Sequence, residues 1–203
     1  MIEYLIEYVN KLVNVNFLQL GLSEKVVDAL VRGSLYILVL CLSWFTYKIA
    51  LGPLNRSMES LSSITSLQWD NVLVEKHVFQ RLLNFIPLML IYVLTSPILA
   101  GTELLQLSQT LINVLFLIAA MLTIDALLSA LLAIYGSSAI SKEISITPFV
   151  QVLKLGLYFV SGILLLSLLL QKTPLYFLSG LGALTAVLLF IFKDILMGFV
   201  AGI

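Results

Sequence analysis

The sequence is poor in the residues that most catalytic and metal sites use. Its 203 residues include one cysteine, Cys41, and one histidine, His77. A single cysteine cannot form an internal disulfide or a thiolate metal cluster, and a lone histidine among charged residues is typical of a solvated loop. The sequence also lacks a glycine-rich phosphate loop and any recognisable set of nucleophile and base. We therefore predict no enzyme, no metal and no cofactor.

Charge is also scarce. Only 11% of the residues are charged and 61% are hydrophobic, whereas about a quarter of a soluble domain is charged. The 11 basic and 11 acidic residues leave no net charge, and the lack of a basic patch argues against nucleic acid as a partner. With a mean hydropathy of +1.10, the composition predicts an integral membrane protein of the all-α class.

Five apolar stretches are long enough to span a bilayer, since a hydrocarbon core of about 30 Å takes about 20 helical residues. The predicted spans are 26–50, 82–99, a stretch within 104–135, 149–170 and a last helix from Pro174. Gly52 and Pro53 predict the end of the first span. Residues 53–80, which follow, are the one substantial polar stretch and predict a polar loop. Within it, residues 57–66 are typical of a polar or amphipathic helix that continues from the first span.

The remaining organisation follows from these spans. Residues 1–25 form an N-terminal amphipathic segment, which lies on the membrane surface or packs on the protein's own outer helices. Residues 26–172 hold four outer helices, and 173–203 hold the last helix. At the start of the first span, Asp28 and Arg32 lie one turn apart and can pair at the membrane interface.

Basic residues in the loops predict the orientation, because cytoplasmic loops carry an excess of lysine and arginine. The second loop has none and the fourth has only Lys172, whereas the first and third loops are richer. Their basic residues are Lys48, Arg56, Lys76, Arg81 and Lys142, with Lys154 just inside the fourth span. We therefore predict that the N-terminus is outside and the C-terminus is cytoplasmic.

One acidic residue, Asp125, lies inside the third span, where an ionisable residue is by default a functional candidate with a partner. Lys154 lies at a similar depth in the fourth span, which runs antiparallel to the third. The spacing predicts an ion pair between the two helices. That pair is either structural or the coupling site of a proton- or ion-driven carrier.

The last helix, 174–203, would be about 45 Å long if straight, which exceeds the hydrocarbon core. Lys193 and Asp194 are its only charges, and Asp194 is a residue type that can cap a new helix. We predict a break at Lys193–Asp194. Small residues, which let another helix approach closely, stand in both halves. They include Ser179, Gly180, Gly182, Ala183 and Ala186 in the first half and Gly198 and Gly202 in the second.

The string GLGALTAVLLFIFKDILMGFVAGI, from Gly180 to Ile203, resembles the pore helix of the small-conductance mechanosensitive channels. It is closest to the miniconductance subgroup, whose members carry a similar Phe-Lys-Asp followed by Gly-x-Val-Ala-Gly-Ile. The resemblance covers about 25 of 203 residues. It implies a homoheptameric ring in the bacterial inner membrane that opens under tension. Such a ring releases ions and small solutes on hypo-osmotic shock, and its partners are its own copies, membrane lipids and permeating ions.

The same resemblance places pore positions on this chain and implies that a soluble cytoplasmic β domain follows Ile203. Its two constriction positions fall on Ala186 and Phe190, with Gly182 beside them. The chain departs from the family pattern in the bulky run 187–192. That run leaves Leu189 or Lys193 as alternative lining positions.

Two other functions remain open from the sequence. A secondary transporter would use Asp125, Lys154 and the second span, which Pro87 and Pro97 interrupt. A non-conducting membrane scaffold is the third possibility. Transporters often consist of two related halves, and five spans without an internal repeat do not divide in that way.

Overall fold

The structure is a computed structural model, and it describes residues 23–64, 75–136 and 145–202, with Tyr4, Tyr8 and Val72 singly. For Glu24 and for residues 50–64 it describes the backbone alone. Within these residues the chain consists of helices and turns, without a strand. The helices are α1 (Glu24–Ile64), α2 (Val78–Leu83), α3 (Phe85–Leu99), α4 (Leu104–Gly136), α5 (Thr147–Leu170) and α6 (Pro174–Ala201).

The prediction of an all-α membrane protein with five spans is confirmed. Five helical stretches are long and apolar enough to cross a bilayer, and each coincides with a predicted span. They are Lys25–Ile49, Val78–Leu99, Leu104–Gly136, Thr147–Leu170 and Pro174–Ala201. The second span combines α2 and α3, which meet at Asn84. The backbone N–H of Asn84 bonds to the carbonyls of Arg81 and Leu82 and so tightens the turn between them.

The first span ends at Ile49, close to the end that Gly52 and Pro53 predict. The helix itself continues through both residues to Ile64, so part of the predicted polar loop is helical, as expected for the segment from residue 57. Proline removes one N–H and its ring crowds the carbonyl four residues back, but here the helix continues past it. Most of the predicted amphipathic segment 1–25 lies outside the described residues.

Successive spans alternate in direction, and side-chain bonds tie their ends together. Arg32, near the start of α1, donates from Nη1 to the carbonyl of Ala100 after α3, at 2.6 Å. Gln106, near the start of α4, donates from Nε2 to Oε1 of Gln171 after α5, at 3.1 Å. We call this end of the bundle the upper end, and the opposite end, where α2 begins, the lower end. The first and last described helices therefore begin at the upper end and run toward the lower end.

Small buried residues on α4 allow its neighbours to approach. Ala119, Thr123, Ala126 and Ala130 lie along one face and are all buried. Val78 of α2 packs on Ala126 and Ala130. A second cluster joins α1 to α3, with Val39, Ile98 and Leu99 buried together. Small residues thus join α2 to α4, whereas larger aliphatic side chains join α1 to α3. Close packing is needed in lipid, where the hydrophobic effect does not drive helices together.

The link between α5 and α6 is short and well defined. Gln171 adopts the left-handed conformation (φ 52°) that commonly ends a helix, and the N–H of Lys172 bonds to the carbonyl of Ser167 at 3.1 Å. Pro174 then occupies the first turn of α6, where its missing N–H costs nothing. Among the described helices, α5 is the main neighbour of α6.

The predicted break at Lys193–Asp194 is wrong. α6 is one continuous helix of 28 residues from Pro174 to Ala201, and both charged residues lie inside it. Neither residue prevents a helix from continuing, and neither proline nor glycine stands beside them to end one. An aspartate caps a helix only where another cause has ended the preceding turn.

Candidate functional site

The two residues predicted to pair inside the membrane are in contact. Lys154 Nζ of α5 lies 2.8 Å from Oδ1 of Asp125 on α4. The same ammonium donates to the hydroxyl of Ser129 at 2.6 Å. Ser129, one turn beyond Asp125, in turn donates to the backbone carbonyl of Asp125 at 2.8 Å. Three groups on two helices therefore form one connected network.

Two further side chains complete this network, which we call the Asp125 cluster (Arg81, Asp125, Ser129, Lys154 and Tyr158). The Tyr158 hydroxyl donates to Asp125 Oδ1 at 2.7 Å. Arg81 Nη1 lies 3.8 Å from Asp125 Oδ2 and also donates to the carbonyl of Leu122. The cluster thus connects α2, α4 and α5.

The cluster lies near the lower end of the bundle. Asp125 is about 31 Å along α4 from Leu104, and Lys154 about 24 Å along α5 from Leu170, at roughly 1.5 Å per residue. A hydrocarbon core of about 30 Å that begins at the upper end would therefore end close to these side chains. The side chains of Asp125, Lys154 and Arg81 are 17%, 24% and 33% exposed. Their position suits long cationic side chains that reach toward the interface.

The contacts of the cluster suit a structural role, because they join three helices. The cluster holds one carboxylate and two cations, so the formal charge of the cluster is +1. Each oxygen of Asp125 lies near at least one partner. Oδ1 has two hydrogen-bond partners, whereas the described neighbour of Oδ2 is Arg81, at a distance too long for a hydrogen bond. Within the described ranges, no three of the residue types His, Cys, Asp and Glu gather closely enough to hold a metal ion.

The predicted pore residues all lie on α6, which has no buried residue. Ala186, Leu189 and Phe190 are exposed, as are Gly182 and Lys193. The other predicted positions, which are Gly180, Ala183, Asp194, Gly198 and Gly202, are exposed as well. A Cβ added to Gly180, Gly182 or Gly198 would meet nothing within 4 Å. Within a single chain these glycines therefore pack against nothing.

α6 differs in this respect from the other four spans. In an apolar 18-residue stretch of each of those, 17–22% of the residues are buried inside the chain, whereas in that of α6 the fraction is 0%. From Leu178 to Gly202 every described residue is exposed. α6 is thus an apolar helix beside a packed bundle.

Sequence reasoning missed Arg81 and Tyr158 as partners of Asp125. Arg81 stands three residues after the start of α2 and was predicted to belong to a loop, so it was counted only for orientation. Tyr158 lies one turn beyond Lys154 on the same face, and this spacing of four could have indicated it. The Asp28–Arg32 pair predicted at the start of the first span is present at 2.9 Å.

No protein-family model matches the chain, and no solved structure matches it.

Proposed function

We propose that this chain is one subunit of an ion channel opened by membrane tension, and that α6 of each subunit lines the pore. The observation that carries the proposal is that α6, beside a packed bundle, buries none of its residues and exposes every described residue from Leu178 onward. A span that buries nothing within its own subunit is free to pack against copies of itself. The resemblance of residues 180–203 to a mechanosensitive pore helix supports the same assignment.

The distribution of side chains around α6 supports a pore-facing side. At about 100° per residue, Ser179, Ala183, Ala186, Phe190 and Lys193 fall within about 40° of one line along the helix. The opposite side carries bulky apolar residues, among them Leu181, Leu188 and Phe199. A side with small and polar residues suits a water-filled lumen and close helix packing, and the bulky side suits lipid or the outer bundle.

Between Ser179 and Lys193, Phe190 is the one large apolar residue on the small-residue side, and it is the proposed gate. A ring of such side chains can close a pore by excluding water without blocking it physically. Leu189 lies about 100° away around the helix. It therefore reaches the lumen only if α6 is rotated from the orientation that places Ala186 there.

Tension would act through the bundle of α1 to α5. This bundle exposes apolar side chains over its length, including Leu38, Phe45 and Val160, and so presents a broad surface to lipid. If the open ring occupies more membrane area than the closed ring, tension favours the open state without a ligand. From the resemblance, we further propose that seven subunits form the ring and that the ring lies in the bacterial inner membrane. From the basic loops, we propose that the C-terminus is cytoplasmic.

The carrier alternative has less support. Coupled transport through Asp125 requires a carboxylate that can exchange partners during the cycle. Oδ1 of Asp125 is instead held by Lys154 and Tyr158, and Arg81 lies within ion-pair distance of Oδ2. A structural role for the cluster fits these contacts better.

The proposal can be tested by cross-linking α6 between subunits in membranes. Cys41 is the only cysteine, so a Cys41→Ala background permits single-cysteine placement. We expect Ala186→Cys to give ladders of covalent oligomers with a short bis-maleimide. Leu188→Cys, about 200° away on the same helix, is the matched control and should give few.

Suction applied to patches of liposomes that hold the 203-residue chain tests conduction directly. Stepwise currents that appear above a tension threshold would support the channel. Equal cross-linking at both positions together with electrically silent patches would contradict it. Solute uptake that is lost with Asp125→Asn, in silent patches, would favour the carrier.

A further inference from the structure

A groove of about 430 Å³ lies between α1 and α4, with α3 beneath it. Each helix contributes four positions spaced i, i+3, i+4 and i+7, so the groove runs along the helix axes for about 10 Å. Its upper end is lined by Leu40, Ile91 and Leu115, and its lower end by Tyr47, Asn84 and Leu122. The volume is in the range of pockets that hold small molecules.

The interior of the groove is apolar. Ser43 is a polar lining residue midway along it, and its hydroxyl already donates to the carbonyl of Pro87 at 3.0 Å. Ser43 is buried and needs no further partner. Leucine, isoleucine and alanine side chains form most of the remaining wall. A hydrocarbon chain would therefore meet no unpaired polar group in the upper part of the groove.

The lower end is polar and unsatisfied. Tyr47 and Asn84 are half-buried, and neither side chain has a hydrogen-bond partner among the residues that the structure describes. Two such groups at the end of an apolar groove suit a ligand that has a hydrocarbon chain and polar carbonyl groups at its head. The ester region of a glycerophospholipid has this chemistry.

A cation stands next to this polar end. Lys48 is exposed, and its Nζ lies 5.6 Å from the centre of the Trp44 ring, which lines the groove. Among the described residues Lys48 has no acidic partner, so its charge is available to an anion. Tryptophan and tyrosine are enriched at membrane interfaces, where phospholipid headgroups lie.

We propose that this groove binds one acyl chain of an anionic glycerophospholipid. The chain lies along the groove toward Leu40 and Leu115. The ester carbonyls accept hydrogen bonds from Tyr47 and Asn84, and the headgroup phosphate lies beside Lys48. This inference is independent of conduction and applies to the bundle of a single subunit.

Trp44 provides the reporter. The chain has two tryptophans, so Trp69→Phe leaves Trp44 as the only one. The full chain in this background is reconstituted into dioleoyl-phosphatidylcholine vesicles with rising fractions of a lipid brominated at carbons 6 and 7 of its chain. The brominated lipid is phosphatidylglycerol in one series and phosphatidylcholine in the other. Bromine quenches tryptophan fluorescence on contact, so each series reports occupancy near Trp44.

We expect phosphatidylglycerol to reach half-maximal quenching at about a five-fold lower fraction than phosphatidylcholine, the effect expected of one cationic side chain near an anionic headgroup. Lys48→Gln should bring the two curves together. Ala119→Leu, which fills the groove, should weaken quenching in both series. Ala120→Leu, on the same helix but outside the groove, should leave both series unchanged.

Two outcomes would overturn the proposal. Equal quenching by the two lipids in the Trp69→Phe protein would show that the groove does not prefer an anionic headgroup. Identical curves for Ala119→Leu and Ala120→Leu would show that the acyl chain lies outside the groove. If Ala119→Leu does not elute as folded protein on gel filtration, Ala119→Val takes its place. The Lys48→Gln comparison tests the anionic headgroup without either variant.

Discussion

Arg32 Nη1 donates a 2.6 Å hydrogen bond to the carbonyl oxygen of Ala100, the residue that ends α3. The same group reaches the carbonyl of Ile98 at 3.3 Å, and Nε pairs with Asp28. The carbonyls at a helix C-terminus have no partner in their own helix and carry partial negative charge, so a guanidinium satisfies them well. One side chain therefore fastens the first span to the second at the upper end.

We expect Arg32→Ala to destabilise the protein by about 1–2 kcal/mol, the upper range for polar contacts between membrane helices. This corresponds to a fall in Tm of about 2–8 °C for a chain of this size. Thermal unfolding in detergent, followed by gel filtration, measures it. Arg32→Lys keeps the charge beside Asp28 but loses the branched guanidinium that reaches α3. Its Tm should therefore lie between those of the wild type and Arg32→Ala. A Tm for Arg32→Ala equal to that of the wild type would show that the contact contributes nothing.

Removal of Asp125 should cost more than removal of either cation beside it. Asp125→Asn leaves Lys154 and Arg81 facing each other, whereas Lys154→Leu leaves Asp125 paired with Arg81. Breaking a fully buried pair costs about 3–5 kcal/mol. Because these side chains are partly exposed, we expect about 1–3 kcal/mol for Asp125→Asn and less for Lys154→Leu.

A double-mutant cycle provides the check. Asp125→Asn combined with Lys154→Leu should be less destabilising than the sum of the single variants, because the partners lose a shared interaction. Glu103→Gln, an exposed carboxylate at the upper end, is the control and should be neutral. Strict additivity in the cycle would refute the coupling.

The orientation can be tested with impermeant thiol reagents on intact cells. Glu103 is exposed in the turn between α3 and α4, and residue 60 lies on α1 beyond its membrane span. With Cys41 replaced by Ala, a cysteine at position 103 should be labelled from outside, and a cysteine at position 60 only after the cells are opened. The opposite pattern would reverse the predicted topology.

Phe190→Ser should lower the tension needed to open the channel, or open it at rest. A polar ring wets a narrow pore that an apolar ring keeps dry. Ala186→Leu, one turn away on the same face, should narrow the pore and reduce the conductance. Both are measured as currents under suction.

Leu189→Ser is the matched comparison for Phe190→Ser, since it makes a similar change about 100° around the helix. A larger effect at Leu189 would mean that α6 is rotated relative to the proposed orientation. If neither change alters conductance or threshold, α6 does not line a pore.

The sequence predicted the spans well, because length and hydropathy alone determine them, as for 104–135 and 149–170. It also predicted that Asp125 and Lys154 could meet, since antiparallel helices bring residues of equal depth together. Arg81 was missed because its position relative to Asp125 depends on the turn at Asn84, which places α2 beside α4. The break at Lys193–Asp194 was wrongly predicted from one residue preference, although no residue nearby requires the helix to end.

The separation of α6 from the bundle has a consequence for biogenesis. α6 has no buried residue, and it is joined to the bundle through the short turn at Gln171 and Pro174. A newly inserted chain can therefore reach a folded bundle by first-order steps alone. Any pairing of α6 with another copy is a later, second-order event whose rate depends on how many copies share the membrane.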